Sequence, residues 1–146
     1  MTCKDVMTPN PRVCTTVASA QAAAELMREE NVGVIPVVDE TSKKLVGVIT
    51  DRDLCLAVVA TSKSPQKVVV SDIMSKELVT CKPEEDIRNC EERMKAHQIR
   101  RIPVVDENGR CIGIISQGDL AVRLSQPEEV HETVREISKP GRSQAA

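Results

Sequence analysis

The sequence predicts an α/β fold written twice. Gly47-Val-Ile-Thr-Asp-Arg-Asp53 and Gly113-Ile-Ile-Ser-Gln-Gly-Asp119 follow one pattern. Each is a glycine, two β-branched apolar residues, a hydroxyl residue, two variable positions and an aspartate, with Leu54 or Leu120 next. Upstream, Ile35-Pro-Val-Val-Asp-Glu40 returns as Ile102-Pro-Val-Val-Asp-Glu107, and Asp5-Val-Met7 as Asp72-Ile-Met74. From Asp5 to Glu40 the copies superpose at a constant offset of 67 residues, and one residue is lost in the turn beyond.

Each copy reads as strand, helix, strand, strand, helix. A short extended piece, Val13 to Thr15 or Val79 to Cys81, leads to a helix-capping residue, Ser19 or Asp86. The helices Ala20 to Glu30 and Ile87 to His97 follow, with Ala20, Ala23, Ala24 and Met27 on one face and Ile87, Cys90 and Met94 on the other copy's face. Two strand-like runs come next, Val34 to Val38 and Leu45 to Thr50, matched by Ile102 to Val105 and Cys111 to Ser116. Asn108-Gly109 between the second pair is a strong hairpin signal. Pro36 and Pro103 cannot donate to a ladder, so they are expected at a strand start, an edge or a bulge. Closing helices start near Asp51 and Gln117.

These repeats place a first motif with its linker over 1–66, the polar stretch Thr61 to Gln66 being the linker, and a second motif over 67–126. A C-terminal helix and tail occupy 127–146. That helix, Gln126 to Lys139, has Pro127 at its start, Val130, Val134 and Ile137 as its apolar stripe, and Pro140-Gly141 as a stop. Arg142 to Ala146 are expected to be disordered.

Composition narrows the function. A domain of about 60 residues buries only about 60% of its extended-chain surface, so the two halves should share a core. A formal charge of −2 with interspersed signs argues against nucleic acid, which needs a basic stripe. No cationic stretch precedes an apolar run, and the longest apolar run, Leu54 to Ala60, is far short of a membrane span. A cytoplasmic protein is expected, with no membrane partner. Its six cysteines include no Cys-x-x-Cys pair, and His97 and His131 sit apart from them. All six are read as reduced, no metal ligands are assigned, and metal binding is the minor alternative. Phe, Tyr and Trp are absent, so a planar ligand must be gripped by aliphatic side chains and backbone.

The paired unit, with Asp-hydrophobic-Met at its head, Ile-Pro-Val-Val-Asp in the middle and Gly-h-h-(Thr/Ser)-x-x-Asp-Leu at its end, resembles a tandem cystathionine-β-synthase (CBS) domain pair, or Bateman module, of the stand-alone prokaryotic type. The resemblance covers roughly residues 1 to 126. It implies two β-α-β-β-α motifs packed sheet to sheet about a pseudo-twofold axis. It also implies a homodimer that buries the paired helices, and adenosine-containing ligands (AMP, ADP, ATP, S-adenosylmethionine or NAD) in the clefts between motifs. Such a module is regulatory rather than catalytic. Its ligand would be an adenine nucleotide or S-adenosylmethionine, it requires no cofactor, and the protein it regulates is not readable.

The chemistry of the turn suits that use. Thr50 and Ser116 close a strand and open a helix, so backbone N–H groups and a hydroxyl face one spot, ready for an anion. Asp53 and Asp119, one turn on, are spaced to accept two hydrogen bonds from a ribose diol. Backbone flanking Pro36 and Pro103, beside Ile35 and Ile102, with Val13 or Val79 nearby, would wall an adenine. Arg100-Arg101 stand where the first copy has Gly33-Val34. His or Arg at such positions contacts phosphates in the gamma subunit of AMP-activated protein kinase, which this stretch resembles. Arg52 has a similar placement in the first turn, where the second copy has Gly118. Set against this, Ser/Thr-x-x-Asp at a helix start is also a capping box that needs no ligand. The alternative function is therefore a structural dimerisation module with empty clefts. No phosphate-binding glycine loop and no nucleophile–base pair stands out, so no catalytic residues are assigned.

Overall fold

The computed structural model describes residues 1–124 and 127–140. In chain order the elements are α1 (Cys3–Val6), β1 (Thr8–Pro9), β2 (Cys14–Thr15), α2 (Ala20–Glu30), β3 (Val34–Val38), β4 (Leu45–Thr50), α3 (Asp51–Leu54), a π-helical turn (Cys55–Val59), α4 (Val70–Ile73), α5 (Ile87–His97), β5 (Arg101–Val105), β6 (Cys111–Ser116), α6 (Gln117–Arg123) and α7 (Pro127–Ile137). The two long helices of the repeat fall where the apolar spacing places them. Ser19 Oγ accepts from the Ala22 amide at 3.0 Å, and Asp86 Oδ1 from the Arg88 amide at 2.9 Å. Both helices end on a left-handed residue, Asn31 and Gln98, each with φ of 52°. Gly109 takes φ of 78°, as its hairpin turn requires.

Two features go beyond the expected element list. The Asp-hydrophobic-Met heads form single-turn helices, α1 and α4, whose C-caps Met7 and Met74 return to extended backbone. The closing helix of the first copy is α-helical only over Asp51–Leu54 and then widens to the π-helical turn.

Contacts divide the chain into two units that do not follow the order of the repeats. Among the described residues, one contains Met1–Asn10, Val79–Glu107 and those from Cys111 to 140; the other contains Pro11–Leu78 and Asn108–Arg110. The first has the sheet order β1-β6-β5, with Thr8 opposite Ile114 and Pro9 opposite Gly113, and Cys81 forms a parallel bridge to Val104. The second has the order β2-β3-β4, and Ser75 forms an antiparallel bridge to Val48. Thr8 and Ser75 are equivalent positions of the repeat, as are Cys14 and Cys81. Each unit is thus the same sheet, and in each the head segment of one repeat joins the hairpin of the other.

Glycine makes that exchange possible. A Cβ on Gly47 would lie 2.6 Å from the Ser75 carbonyl oxygen and 2.8 Å from Met74 Sδ. A Cβ on Gly113 would overlap the Met7 side chain, with Cγ at 2.8 Å. The methionine runs across the strand where a side chain is missing.

Pro103 lies on β5, an edge strand of its sheet, as expected, whereas Pro36 lies on the central strand β3. Pro36 and Pro103 lie in the middle of β3 and β5, opposite Val48 and Ile114, and the register shift comes at the following Val37/Val38 and Val104/Val105 steps. The Pro103 carbonyl accepts from the Cys81 amide at 3.1 Å. The missing donor of Pro103 therefore faces a piece that pairs by a single bridge, and the matching neighbour of β3 is the two-residue β2, so little pairing is lost in either place.

Ala23 is 0% exposed within the core of its own unit, beside Leu26, Met27, Ile35 and Ile49, whereas Ala24 is exposed. The buried face of α2 is therefore narrower than the spacing implied. In the other unit, Ile137 of α7 joins the core of α5, β5 and β6. Thr133, rather than Val134, is fully buried alongside Ile137, and its hydroxyl donates to Glu91 Oε1 at 3.4 Å. Gln98 Nε2 donates to the Glu136 and Lys139 carbonyls and so ties the end of α5 to the end of α7. Gln126, Gly141, the tail from Arg142 and the Val130 side chain lie outside the described residues. No helix among the described residues is long and apolar enough to cross a membrane.

Gly47→Ala and Gly113→Ala should each destabilise the fold by about 1–3 kcal/mol, because backbone or a pinned methionine must move. Gly118→Ala should instead stabilise by about 0.5–1 kcal/mol, since this helical glycine has only Ser116 Oγ near its Cβ, at 3.5 Å. Denaturant unfolding of the three variants checks the sign of each change.

Candidate functional site

Both repeated turns close on themselves as capping boxes. At the end of β4, Asp53 Oδ2 accepts from the Thr50 amide and Thr50 Oγ1 accepts from the Asp53 amide, both at 3.0 Å. At the end of β6, Asp119 Oδ2 accepts from the Ser116 amide at 2.8 Å and Ser116 Oγ accepts from the Asp119 amide at 3.0 Å. Thr50 is only 2% exposed, and Asp53 and Asp119 are half-buried. Each carboxylate is held at a fixed place beside its hydroxyl by one of its two oxygens.

A second pair of bonds anchors each turn to the strand start beside it. The Asp51 amide donates to the Gly33 carbonyl at 3.0 Å, and the Gln117 amide donates to the Arg100 carbonyl at 2.8 Å. Backbone geometry is therefore shared between copies; the charges are not. In the first copy, Asp51 Oδ1 accepts from the Arg52 amide at 2.8 Å, and Asp51 occupies the space where a Gly33 side chain would begin. All three first-turn amides are engaged there, and an acidic residue stands over them. In the second copy the matching residues are Gln117 and Arg100, both free of negative charge.

Arg100, Arg101, Ser116, Gln117, Gly118 and Ala121 line one cleft of about 320 Å³. Neighbours within a strand point to opposite faces, but Arg100 precedes β5 and Arg101 is its first residue, opposite Ser116. Both guanidinium side chains are thereby free to serve the same cleft. Arg100 is exposed and Arg101 half-buried.

The remaining candidates divide. Ile35 and Ile102 are 1% and 0% exposed and belong to the two cores, so their side chains are committed to packing and only their backbone could meet a ligand. Pro36 and Pro103 are buried as well. Val13 is 37% exposed and Val79 half-buried. Arg52 is exposed on a turn that is already acidic. Gln117, Gly118 and Ala121 were not singled out from the sequence. The signal for the first two was present, because they are the two variable positions of the repeated turn.

Ser116→Ala should lower the stability of the ligand-free protein by about 0.5–2 kcal/mol through loss of the cap. Asp119→Asn, which keeps an acceptor for the Ser116 amide, should change it by no more than about 0.5 kcal/mol. Thermal unfolding of both variants tests this.

Comparison with known proteins places the fold in a family. The CBS domain family profile matches residues 3–60 and again 70–126. "CBS domain-containing protein YhcV" of Bacillus subtilis (strain 168) is 39% identical over 135 residues, 92% of this chain and 94% of that protein. The CBS domain pair of MJ0100, solved with 5′-methylthioadenosine and S-adenosyl-L-methionine, superposes with a TM-score of 0.73 at 29% identity, over 84% of this chain and 98% of that one. Hypoxic Response Protein I, solved with two coordinated zinc ions, has a TM-score of 0.75 at 27% identity, over 85% and 99%. With both motifs matched, both sheets built alike and both turns closed as the repeat demands, this chain belongs to the CBS domain family as a tandem pair.

Proposed function

We propose that this CBS pair is a regulatory sensor of an adenosine-containing ligand, and that the cleft of the second copy receives the ligand's phosphate. The observation that carries the reading is the convergence of Arg100 and Arg101 on Ser116 and the first turn of α6. A guanidinium stays ionised and donates several directed hydrogen bonds, which suits phosphate oxygens. The equivalent strand start in the first copy, Gly33-Val34, carries no cation, and Asp51 beside it offsets the charge of Arg52, so a phosphate is less favoured there. Asp119 would accept from the ribose hydroxyls with the oxygen not used by the cap. Adenosine ligands of the MJ0100 pair support the nucleoside half of this proposal, and the arginines favour AMP, ADP or ATP over S-adenosylmethionine. The module performs no catalysis in this reading; it changes the affinity of a protein partner.

Arg100→Ala/Arg101→Ala should weaken AMP, ADP and ATP binding at least tenfold while leaving adenosine binding nearly unchanged. Each charged hydrogen bond lost is worth about 1.5–3 kcal/mol. Calorimetric titration of the parent and the double variant decides. Equal losses for adenosine and its phosphates, or no response of the parent to any of these ligands, would remove the proposal.

A specific surface favours homodimerisation as well. Leu56 and Val59, on the π-helical turn, are 51% and 73% exposed, and Val59 borders an apolar hollow of about 400 Å³ with Ala20, Ala24, Leu54 and Val58. Leu56→Glu/Val59→Glu should shift a dimer toward monomer in sedimentation. A monomeric parent would refute the dimer.

A further inference from the structure

The repeat supplies an internal comparison for one buried spot. In the unit of Pro11–Leu78, that spot is filled by Val70, Cys14, Ala23 and Leu26, all 9% exposed or less and all in its core. At the offset of 67 residues, the other unit has Cys3, Cys81, Cys90 and Arg93 in the same places. Apolar filler is therefore sufficient for this fold. Three contacting positions nevertheless differ together, Val to Cys, Ala to Cys and Leu to Arg, and the one cysteine common to both copies becomes the middle of a group.

The three sulfurs come from three elements: the first residue of α1, the extended piece beside β5, and the buried face of α5. They lie within 4.8 Å of one another, and each residue is 1% exposed or less. The arrangement is clamped from outside. Cys3 and Lys4 amides donate to the carbonyls of Glu85 and Pro83, at 2.9 and 3.0 Å, and the Cys81 amide and carbonyl bond to β5. Arg93 is the fourth part. Its Nη1 donates to the Thr80 carbonyl at 2.9 Å and reaches Cys81 Sγ at 3.1 Å, while Nη2 pairs with Glu85 Oε2 at 2.8 Å. A guanidinium fixed by two other partners and aimed at sulfur favours the thiolate over the neutral thiol.

We propose that Cys3, Cys81 and Cys90 form a three-coordinate thiolate site for a single soft metal ion, Cu(I), with Arg93 as its outer-shell countercharge. Size supports one ion. Metal–sulfur bonds of about 2.3 Å in a three-coordinate site set the sulfurs about 4.0 Å apart, within the 4.8 Å that bounds these three, and a multinuclear cluster has no room. Softness and ligand number choose the ion. Among the described residues, no fourth His, Cys, Asp or Glu joins the group. Zinc takes four ligands, and where the protein supplies three it keeps an open position for water. These sulfurs are closed off, and thiolates select Cu(I). Binding releases the thiol protons to solvent and leaves three thiolates around a monovalent ion, a net negative group that Arg93 partly offsets. The ion would also fasten the amino-terminal segment to the second repeat.

The test uses the full chain, reduced and oxygen-free, titrated with Cu(I) supplied as its acetonitrile complex. Because the protein has no Phe, Tyr or Trp, thiolate-to-copper charge-transfer absorbance in the near ultraviolet is read against an almost transparent background. Absorbance should break at one equivalent per chain, with affinity measured by competition against bicinchoninate. Cys3→Val and Cys90→Ala put in the residues that the other unit packs at the same places, and each should abolish the tight equivalent. Cys14→Ala, Cys55→Ser and Cys111→Ser should keep it. Arg93→Leu retains all three thiols and should weaken binding about 10–100-fold, the usual effect of removing an outer-shell partner. If a cysteine variant fails to fold, Arg93→Leu decides. Absence of a saturable equivalent in the folded parent, its persistence in folded Cys3→Val, its loss in the Cys55 or Cys111 variant, unchanged affinity in Arg93→Leu, or displacement of copper by equimolar Zn²⁺ would overturn the proposal.

Discussion

The contact on which the rest depends is a methionine lying across a glycine. Met7 crosses β6 at Gly113 and Met74 crosses β4 at Gly47, so close that no side chain fits beneath either. Because of that approach, the strand-like piece after each methionine can add to a hairpin built by the other repeat. In each unit the single-turn helix and the piece that follows it come from the repeat that does not supply the hairpin. The exchange completes the sheet and brings residues from opposite ends of the chain into one core: Cys3 and Val6 beside Cys90, Ile102 and Leu120.

The two completed units then differ in chemistry while keeping one backbone. Hydroxyl, carboxylate and strand-start carbonyl hold the same relations in both turns, to within a few tenths of an ångström. What stands over those bonds has diverged. Asp51 covers the amides of one turn, and a pair of arginines borders the other. Capping and ligand recognition are compatible here, because a cap uses one carboxylate oxygen and leaves the strand-start side chains unengaged. A similar divergence separates a pair of buried spots in the two cores: one is ordinary apolar packing, the other three thiols with a guanidinium on Cys81.

Much of this was legible in the chain. The repeat offset identified equivalent positions before any coordinate, helix spans followed from a 3.6-residue spacing of small apolar residues, and caps followed from Ser19, Asp86, Thr50 and Ser116. Arginines at 100 and 101 stood out because their counterparts carry no charge. Such features are local or internal to the repeat, and hydrogen bonding over three or four residues needs no distant partner.

Tertiary structure decided what depends on distant partners. Ala24 faces solvent and Ala23 the core because α2 turns a narrow stripe inward, and a count of small residues cannot give that rotation. Pro36 and Pro103 occupy mid-strand because the neighbouring piece on the β2 or Cys81 side pairs over two residues at most. The cysteines gave no spacing signal, since Cys3, Cys81 and Cys90 meet only after the amino-terminal segment joins the second repeat. Sequence by itself determined a duplicated CBS pair with capped turns and a charge difference between copies. Only the fold decided which copy completes which sheet, which side chains border each turn and which thiols share one place, because each depends on chain segments brought together from far apart.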